Sequence, residues 1–323
     1  MKSIRFAALL MMLAYAALGF AQPGSDFPAK SVRIIVGNAP GGTGDLSTRI
    51  VARHLSERLG QQFVIENRPG AGGVVAAKSL AAAPADGHTL LMVASGIAVS
   101  AALFNNLGYD PVKDFAMISQ MSDFAYVFAV SSESKFNSLS ELVADARARP
   151  GKLNLATISV GSGQYLTAEL FKSMAKIEAV TVPFKGSPDV TAAIKGRHAD
   201  VAIETVAPLV GMLGSGELRG LAVSSAERFA GLPNIPTVKE QGFPDYAVSV
   251  WNGIAAPAGT PRGVIDKLNR EINLILALPD VQKQFLTLGI TARGSTPEAL
   301  TETMASEIRR WREVVTAANI PRQ

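Results

Sequence analysis

Cysteine is absent from this 323-residue chain. That removes disulfides, thiolate nucleophiles and cysteine-based metal sites together. Histidine is scarce. His54, His88 and His198 stand far apart, and no HExxH-like spacing joins any two, so no metal site is expected. There is no Gly-x-Ser-x-Gly elbow; the nearest lookalike, Gly161-Ser162-Gly163, lacks the intervening residues. A phosphate loop fails because Thr43 stands where its lysine belongs. A dinucleotide fingerprint fails because Leu166 occupies the third glycine position after Gly161 and Gly163. Basic residues form no cluster, which argues against a nucleic-acid partner. No cofactor is implied, and nothing resembles catalytic machinery.

What is present begins with a secretory leader. Lys2 and Arg5 precede an apolar stretch from Phe6 to Phe20, and Gly19-Phe20-Ala21 supplies small residues at the outer and inner cleavage positions. Residues 1–21 are expected to be removed, leaving a mature chain that starts near Gln22. Losing Lys2 and Arg5 lowers the formal net charge from +4 by two, to +2. No later segment is apolar and long enough to span a bilayer, so the mature chain is expected outside the cytoplasm without membrane insertion.

Two glycine-rich turns share one layout. Val32–Val36 runs into Asn38-Ala39-Pro40-Gly41-Gly42-Thr43-Gly44-Asp45, followed by a helical pattern to Leu59. Leu153–Ile158 runs into Ser159-Val160-Gly161-Ser162-Gly163-Gln164, followed by a helical pattern through Phe171. Each reads as strand, tight loop, helix start. A helix start offers unpaired N–H groups and the positive end of a dipole, and so attracts an anion. Two such starts, more than a hundred residues apart, are suited to grip one anionic ligand from two sides. The local alternative is a tight turn in which Thr43 or Asp45 caps the first helix.

Apolar strands alternate with helical patterns along the rest of the chain, the signature of an α/β fold with mostly parallel sheets. Strands are expected at Phe63–Glu66, Thr89–Val93, Phe115–Met121, Tyr126–Val130, Val180–Phe184, Val201–Glu204, Leu218–Val223 and Ile254–Ala256. A short helix is expected from Ser187 to Gly196. Asn67-Arg68-Pro69-Gly70-Ala71-Gly72-Gly73 reads as a structural turn. Ser95-Gly96 and Glu204-Thr205 follow apolar strands, where ligands of open α/β sheets bind; lining a cleft and facing solvent both remain open for them. A carboxylate at Glu204 beside an anion is unfavourable unless the ligand carries a positive group or Lys185 compensates. The C-terminal quarter is helical, with Val264, Ile265, Leu268, Ile272 and Leu276 on one face, then Leu300, Met304, Ile308, Trp311 and Val315 on another. Trp251 fits either a core or a cleft.

An ordered set of motifs spans nearly the whole mature chain: Phe27-Pro28-Ala29-Lys30-Ser31-Val32-Arg33-Ile34-Ile35-Val36, Ala39-Pro40-Gly41-Gly42 with Asp45, Glu66-Asn67-Arg68-Pro69-Gly70-Ala71-Gly72-Gly73, Asp86-Gly87-His88-Thr89-Leu90-Leu91, Val182-Pro183-Phe184-Lys185-Gly186, Pro236-Thr237-Val238-Lys239-Glu240 and Ala256-Pro257-Ala258-Gly259-Thr260-Pro261. Together they resemble the tripartite tricarboxylate transporter substrate-binding proteins, the TctC or Bug family. The resemblance implies an α/β, periplasmic-binding-protein type II-like fold: two α/β lobes with a cleft and a two-strand hinge. Lobe one would hold residues 22–124 plus 246–323, and lobe two residues 125–245. It implies a monomeric, non-enzymatic periplasmic receptor for a small organic carboxylate (a di- or tricarboxylate, acidic amino acid or aromatic acid), delivered to a two-subunit membrane permease. A sensor partner in signalling, or an extracellular enzyme on the same scaffold, are the alternatives.

The site residues so implied are Gly41, Gly42, Thr43, Gly44 and Asp45 on the first loop, and Gly161, Ser162, Gly163, Gln164 and Tyr165 on the second. Ser95, Gly96, Phe184, Glu204 and Thr205 complete them. Thr43-Gly44, Tyr165 and Phe184 depart from the usual family residues, which leaves ligand identity open.

Overall fold

The computed structural model describes residues 27–38, 40–70, 73–160, 162–318 and 320–322. The leader and its cleavage site, Ala39, Ala71, Gly72 and Gly161 lie outside them. Among the described residues there are ten strands: β1 (Val32–Val36), β2 (Phe63–Asn67), β3 (Thr89–Ala94), β4 (Phe115–Ser131), β5 (Leu153–Ile158), β6 (Ala179–Phe184), β7 (Val201–Thr205), β8 (Leu218–Val223), β9 (Ser249–Pro257) and β10 (Thr291–Ala292). The helices are α1 (Thr43–Leu59), α2 (Val74–Ala81), α3 (Ser95–Leu103), α4 (Leu139–Ala148), α5 (Gly163–Ala175), α6 (Ser187–Lys195), α7 (Val206–Ser215), α8 (Arg262–Leu276), α9 (Pro279–Thr287) and α10 (Pro297–Ala317).

The strands follow the order β2-β1-β3-β9-β4-β7-β5-β6, with β8 and β10 also on β4. At one end β1 is parallel to β2 and β3. At the other, β5 is parallel to β6 and β7. The long strands between them are antiparallel to their neighbours. Sequence periodicity suggests two strands in the 115–130 region, but β4 is one continuous strand of 17 residues. Ser122 and Asp123 interrupt the apolar pattern, yet neither glycine nor proline breaks the backbone there, and both residues pair with β9 across a register shift. From Phe115 to Ala125 the strand pairs with β9; from Tyr126 onward it pairs with β7 and β8. One strand thus serves two sheets.

The helix α7 has no counterpart in the sequence reading, because Pro208, Gly211 and Gly214 weaken its pattern. Pro208 is tolerated at its third position, where the missing N–H would have no partner inside the helix. The two C-terminal amphipathic helices match their periodicity. The apolar stripes of α8 and α10, including Leu268, Ile272, Met304 and Trp311, are buried. Trp311 and Leu300 of α10 join one continuous core with Ile35 and Val93 of one sheet, Phe128 of the other and Phe171 of α5. Separate clusters fill the outer face of each sheet.

Candidate functional site

Four strands, β1, β3, β5 and β7, each lead into a helix: α1, α3, α5 and α7. Because the strands of each parallel set point the same way, these helix starts gather at the strands' carboxyl ends. They meet around a cavity of about 550 Å³. Thr43 and Gly44 open α1, Ser95 and Gly96 open α3, Ser162 and Gly163 open α5, and Thr205 opens α7; all line it. The starts of α1, α3 and α7 carry no side-chain cap. Their first-turn N–H groups are left for whatever enters the cavity.

Among the described residues, no lining side chain is a lysine, arginine, histidine, aspartate or glutamate. The polar lining is Asn38, Thr43, Ser95, Tyr126, Ser162, Gln164, Thr205 and Asn252; Met92, Ile97, Phe124, Ile158 and Val250 are among the apolar walls. An anion here is met by dipoles and neutral donors, the means by which helix N-termini bind carboxylates and phosphates. The Asn252 amide nitrogen is buried without a partner. Burial, reinforced by the Glu204 carboxylate, pushes the Tyr126 phenol well above its ordinary range, so it stays an O–H donor.

Two glycines at the cavity have little room for a side chain, Gly163 the less of the two. A Cβ on Gly163 would stand 2.1 Å from Tyr126 Oη, and one on Gly44 would stand 3.0 Å from Met92 Cε and 3.4 Å from Asn38 Oδ1. Both approaches let the helix starts reach the cavity wall closely.

The other expected site residues lie elsewhere. Gly41 and Gly42 are exposed and outside the lining. Asp45 is buried with its side chain turned back into the loop, accepting from Gly41 N, Arg49 Nε and Asn67 Nδ2, each at 2.9 Å. Burial alone would raise its pKa, but the Arg49 guanidinium, the Gly41 N–H and the Asn67 amide outweigh that and hold the carboxyl below its usual value. Neither Thr43 nor Asp45 caps α1: Gly42 is the cap, and Asp45 braces the loop from the first turn. Asn67 also donates to Asn38 O, so the 67–73 loop ties down the first glycine turn, and Pro69 and Gly73 reach the cavity. Tyr165 packs half-buried on the main core, and Phe184 packs on the outer cluster of the second sheet. Gly161 is among the residues outside the described ones.

Glu204 is fully buried behind the lining. Its Oε1 accepts from Gln164 Nε2 at 2.9 Å, Thr205 N at 2.7 Å and Thr205 Oγ1 at 3.1 Å. Ser162 uses its hydroxyl locally, accepting from Tyr165 N and donating to Ile158 O. Trp251 is core, and its neighbour Asn252 lines the cavity, as alternation along a strand requires. Sequence reasoning missed Tyr126 and Asn252. Both lie on the crossover strands β4 and β9, where only strand pairing aims them at the glycine turns. Asn38 lay inside a recognised loop and was legible there.

Two α/β units sharing long crossover strands, with helix starts from both facing one cavity, define a periplasmic-binding-protein type II-like solute receptor. Residues 47–320 match the model of the tripartite tricarboxylate transporter family receptor, and the chain belongs to that family, TctC or Bug, of periplasmic binding proteins. It is 35% identical over 304 residues to Protein BugT of Bordetella pertussis, covering 93% of each chain. The structure of Rpa4515 of R. palustris with adipate is 32% identical, with a TM-score of 0.78, over 91% of this chain and 99% of that one. MatC of Rhodopseudomonas palustris with bound malate is 31% identical, with a TM-score of 0.73, over 90% of this chain and 100% of that one.

Proposed function

We propose that this receptor closes its two lobes on a small organic carboxylate in the periplasm and hands it to a two-subunit membrane permease. The observation that carries this reading is the convergence of four helix starts, from both ends of the sheet system, on one cavity of about 550 Å³ that no charged side chain among the described residues lines. Adipate in one relative and malate in another support a carboxylate ligand. Lobe one comprises residues 22–124 and 246–323, and lobe two residues 125–245; the partner change of β4 after Ala125 supports that division. Closure about β4 and β9 brings the α1 and α3 starts toward those of α5 and α7, a hinge motion common to ligand-enclosing proteins.

The role is binding and release without turnover. Among the described residues, the cavity lining offers no carboxylate, imidazole or amine to act as acid, base or nucleophile. Calorimetry and small-angle scattering with di- and tricarboxylates, acidic amino acids and aromatic acids test the reading. At least one acid should bind and compact the protein, and mass spectrometry should recover it unchanged. Absence of both binding and compaction with every acid refutes the reading.

A further inference from the structure

The orientation of one amide bears on which acids fit. Glu204 is fully buried, and its Oε1 already accepts the Thr205 N–H and hydroxyl. A carboxylate oxygen so used is an acceptor, so only the nitrogen of the Gln164 amide can face it; the reverse would press two acceptor oxygens together. The Gln164 Nε2 contact at 2.9 Å fulfils this. The Gln164 carbonyl oxygen is thereby turned to the opposite side of the amide. No donor among the described residues reaches it, and it is not among the fully buried unpartnered atoms. Gln164 itself is a cavity-lining residue. The second lobe therefore carries an acceptor on the same turn as the Gly163 and Gln164 N–H groups.

A plain carboxylate offers nothing to such an acceptor and would be repelled by it. A carboxylate seated on the first-turn N–H groups of α5 has its α-carbon one bond away. A hydroxyl or ammonium on that carbon would be the donor closest to the carboxylate, and so the one best placed to meet an acceptor on the first turn of α5. Resting on the carboxylate-receptor reading above, we infer that Glu204 is a positioning residue that locks the Gln164 carbonyl toward the ligand, so that the site selects acids with a hydrogen-bond donor on the carbon next to the carboxylate. The unpartnered second oxygen of Glu204 leaves its negative charge uncompensated behind this point, which favours ammonium over hydroxyl.

Matched acids differing only at that carbon test the inference by calorimetry: succinate, methylsuccinate, malate and aspartate; glutarate, 2-hydroxyglutarate and glutamate; adipate and 2-aminoadipate. The hydroxy or amino member of at least one set should bind about tenfold or more tighter than its unsubstituted partner, since a site built to hydrogen-bond a group rejects analogues lacking it. Glu204→Gln frees the amide to turn over, because a neutral amide can donate as well as accept. It should shrink that ratio to within about threefold, whereas a merely structural defect would weaken all acids together and leave the ratio unchanged. Gln164→Met removes the acceptor at similar volume and should erase the ratio even if the Glu204 variant folds poorly. Binding of substituted and unsubstituted acids with equal affinity overturns this inference while the carboxylate-receptor reading stands. Binding of no acid overturns both. A ratio that survives in both variants overturns the assignment to Gln164 and Glu204.

Discussion

Gly163→Ala probes the closest approach in the site. The new methyl would stand 2.1 Å from Tyr126 Oη and 3.2 Å from Tyr126 Cζ, well inside van der Waals contact. Tyr126 is buried in the main core, so its ring cannot simply swing out. Overpacking of this kind costs about 1–3 kcal/mol, and replacing glycine in a helix returns about 0.5–1 kcal/mol. An approach of 2.1 Å lies at the upper end of that cost, so the net loss is about 2 kcal/mol, or a few degrees in Tm for a chain of this size. Tyr126→Phe deletes the oxygen in conflict. That oxygen has no protein hydrogen bond among the described residues, so its removal alone costs little. In the Tyr126→Phe background, Gly163→Ala should therefore be nearly neutral. Thermal or denaturant unfolding of the two single variants and the double variant forms a cycle with a coupling of about 1 kcal/mol or more. If Gly163→Ala is as stable as the parent, or if Tyr126→Phe gives no relief, the packing of the α5 start against β4 described here is wrong.

Thr43→Ala should weaken ligand binding by about 1 kcal/mol with stability unchanged, because Thr43 lines the cavity and its hydroxyl has no protein partner among the described residues; calorimetry beside a melting curve checks both halves. Ser162→Ala should instead lower stability by about 1 kcal/mol, since its hydroxyl caps α5, as denaturant unfolding would register. Asp45 has a folded pKa below its ordinary value of 3.8, so its stabilisation is present above that value and is lost as pH falls through the folded pKa. Asp45→Asn should thus be less stable than the parent at neutral pH and show a shallower loss of Tm as pH falls below about 4; parallel profiles would remove Asp45 from the acid response.

Much of the fold was legible because its signals are local. Apolar runs ending at glycine turns, and helices opened by Pro261 and Thr296, depend on backbone preferences that any short peptide already has. Even so, β4 read as two strands, since its polar Ser122 and Asp123 resemble a break until a partner strand pairs with them. The helix α7 stayed hidden because Pro208 is acceptable only at a helix start, and its pattern does not announce one. At the site, Thr43, Gly44, Ser95, Gly96, Ser162, Gly163, Gln164 and Thr205 were within reach of sequence reasoning because each stands where a strand turns into a helix. Asp45 and Glu204 share that position, yet their charged groups point away from the cavity. Sequence proximity does not say which way a carboxylate turns when burial must be offset by donors.

The sequence alone thus determined the kind of protein: recurring strand–turn–helix starts, and an ordered set of motifs that resembles one receptor family. Only the tertiary structure decided what those starts surround. It drew Tyr126 and Asn252 in from crossover strands, and it withdrew Asp45 behind the first loop and Glu204 behind the second. The reason is physical. A turn is written in the preferences of adjacent residues, but the direction of a side chain in a sheet depends on register with a strand that can lie more than a hundred residues away.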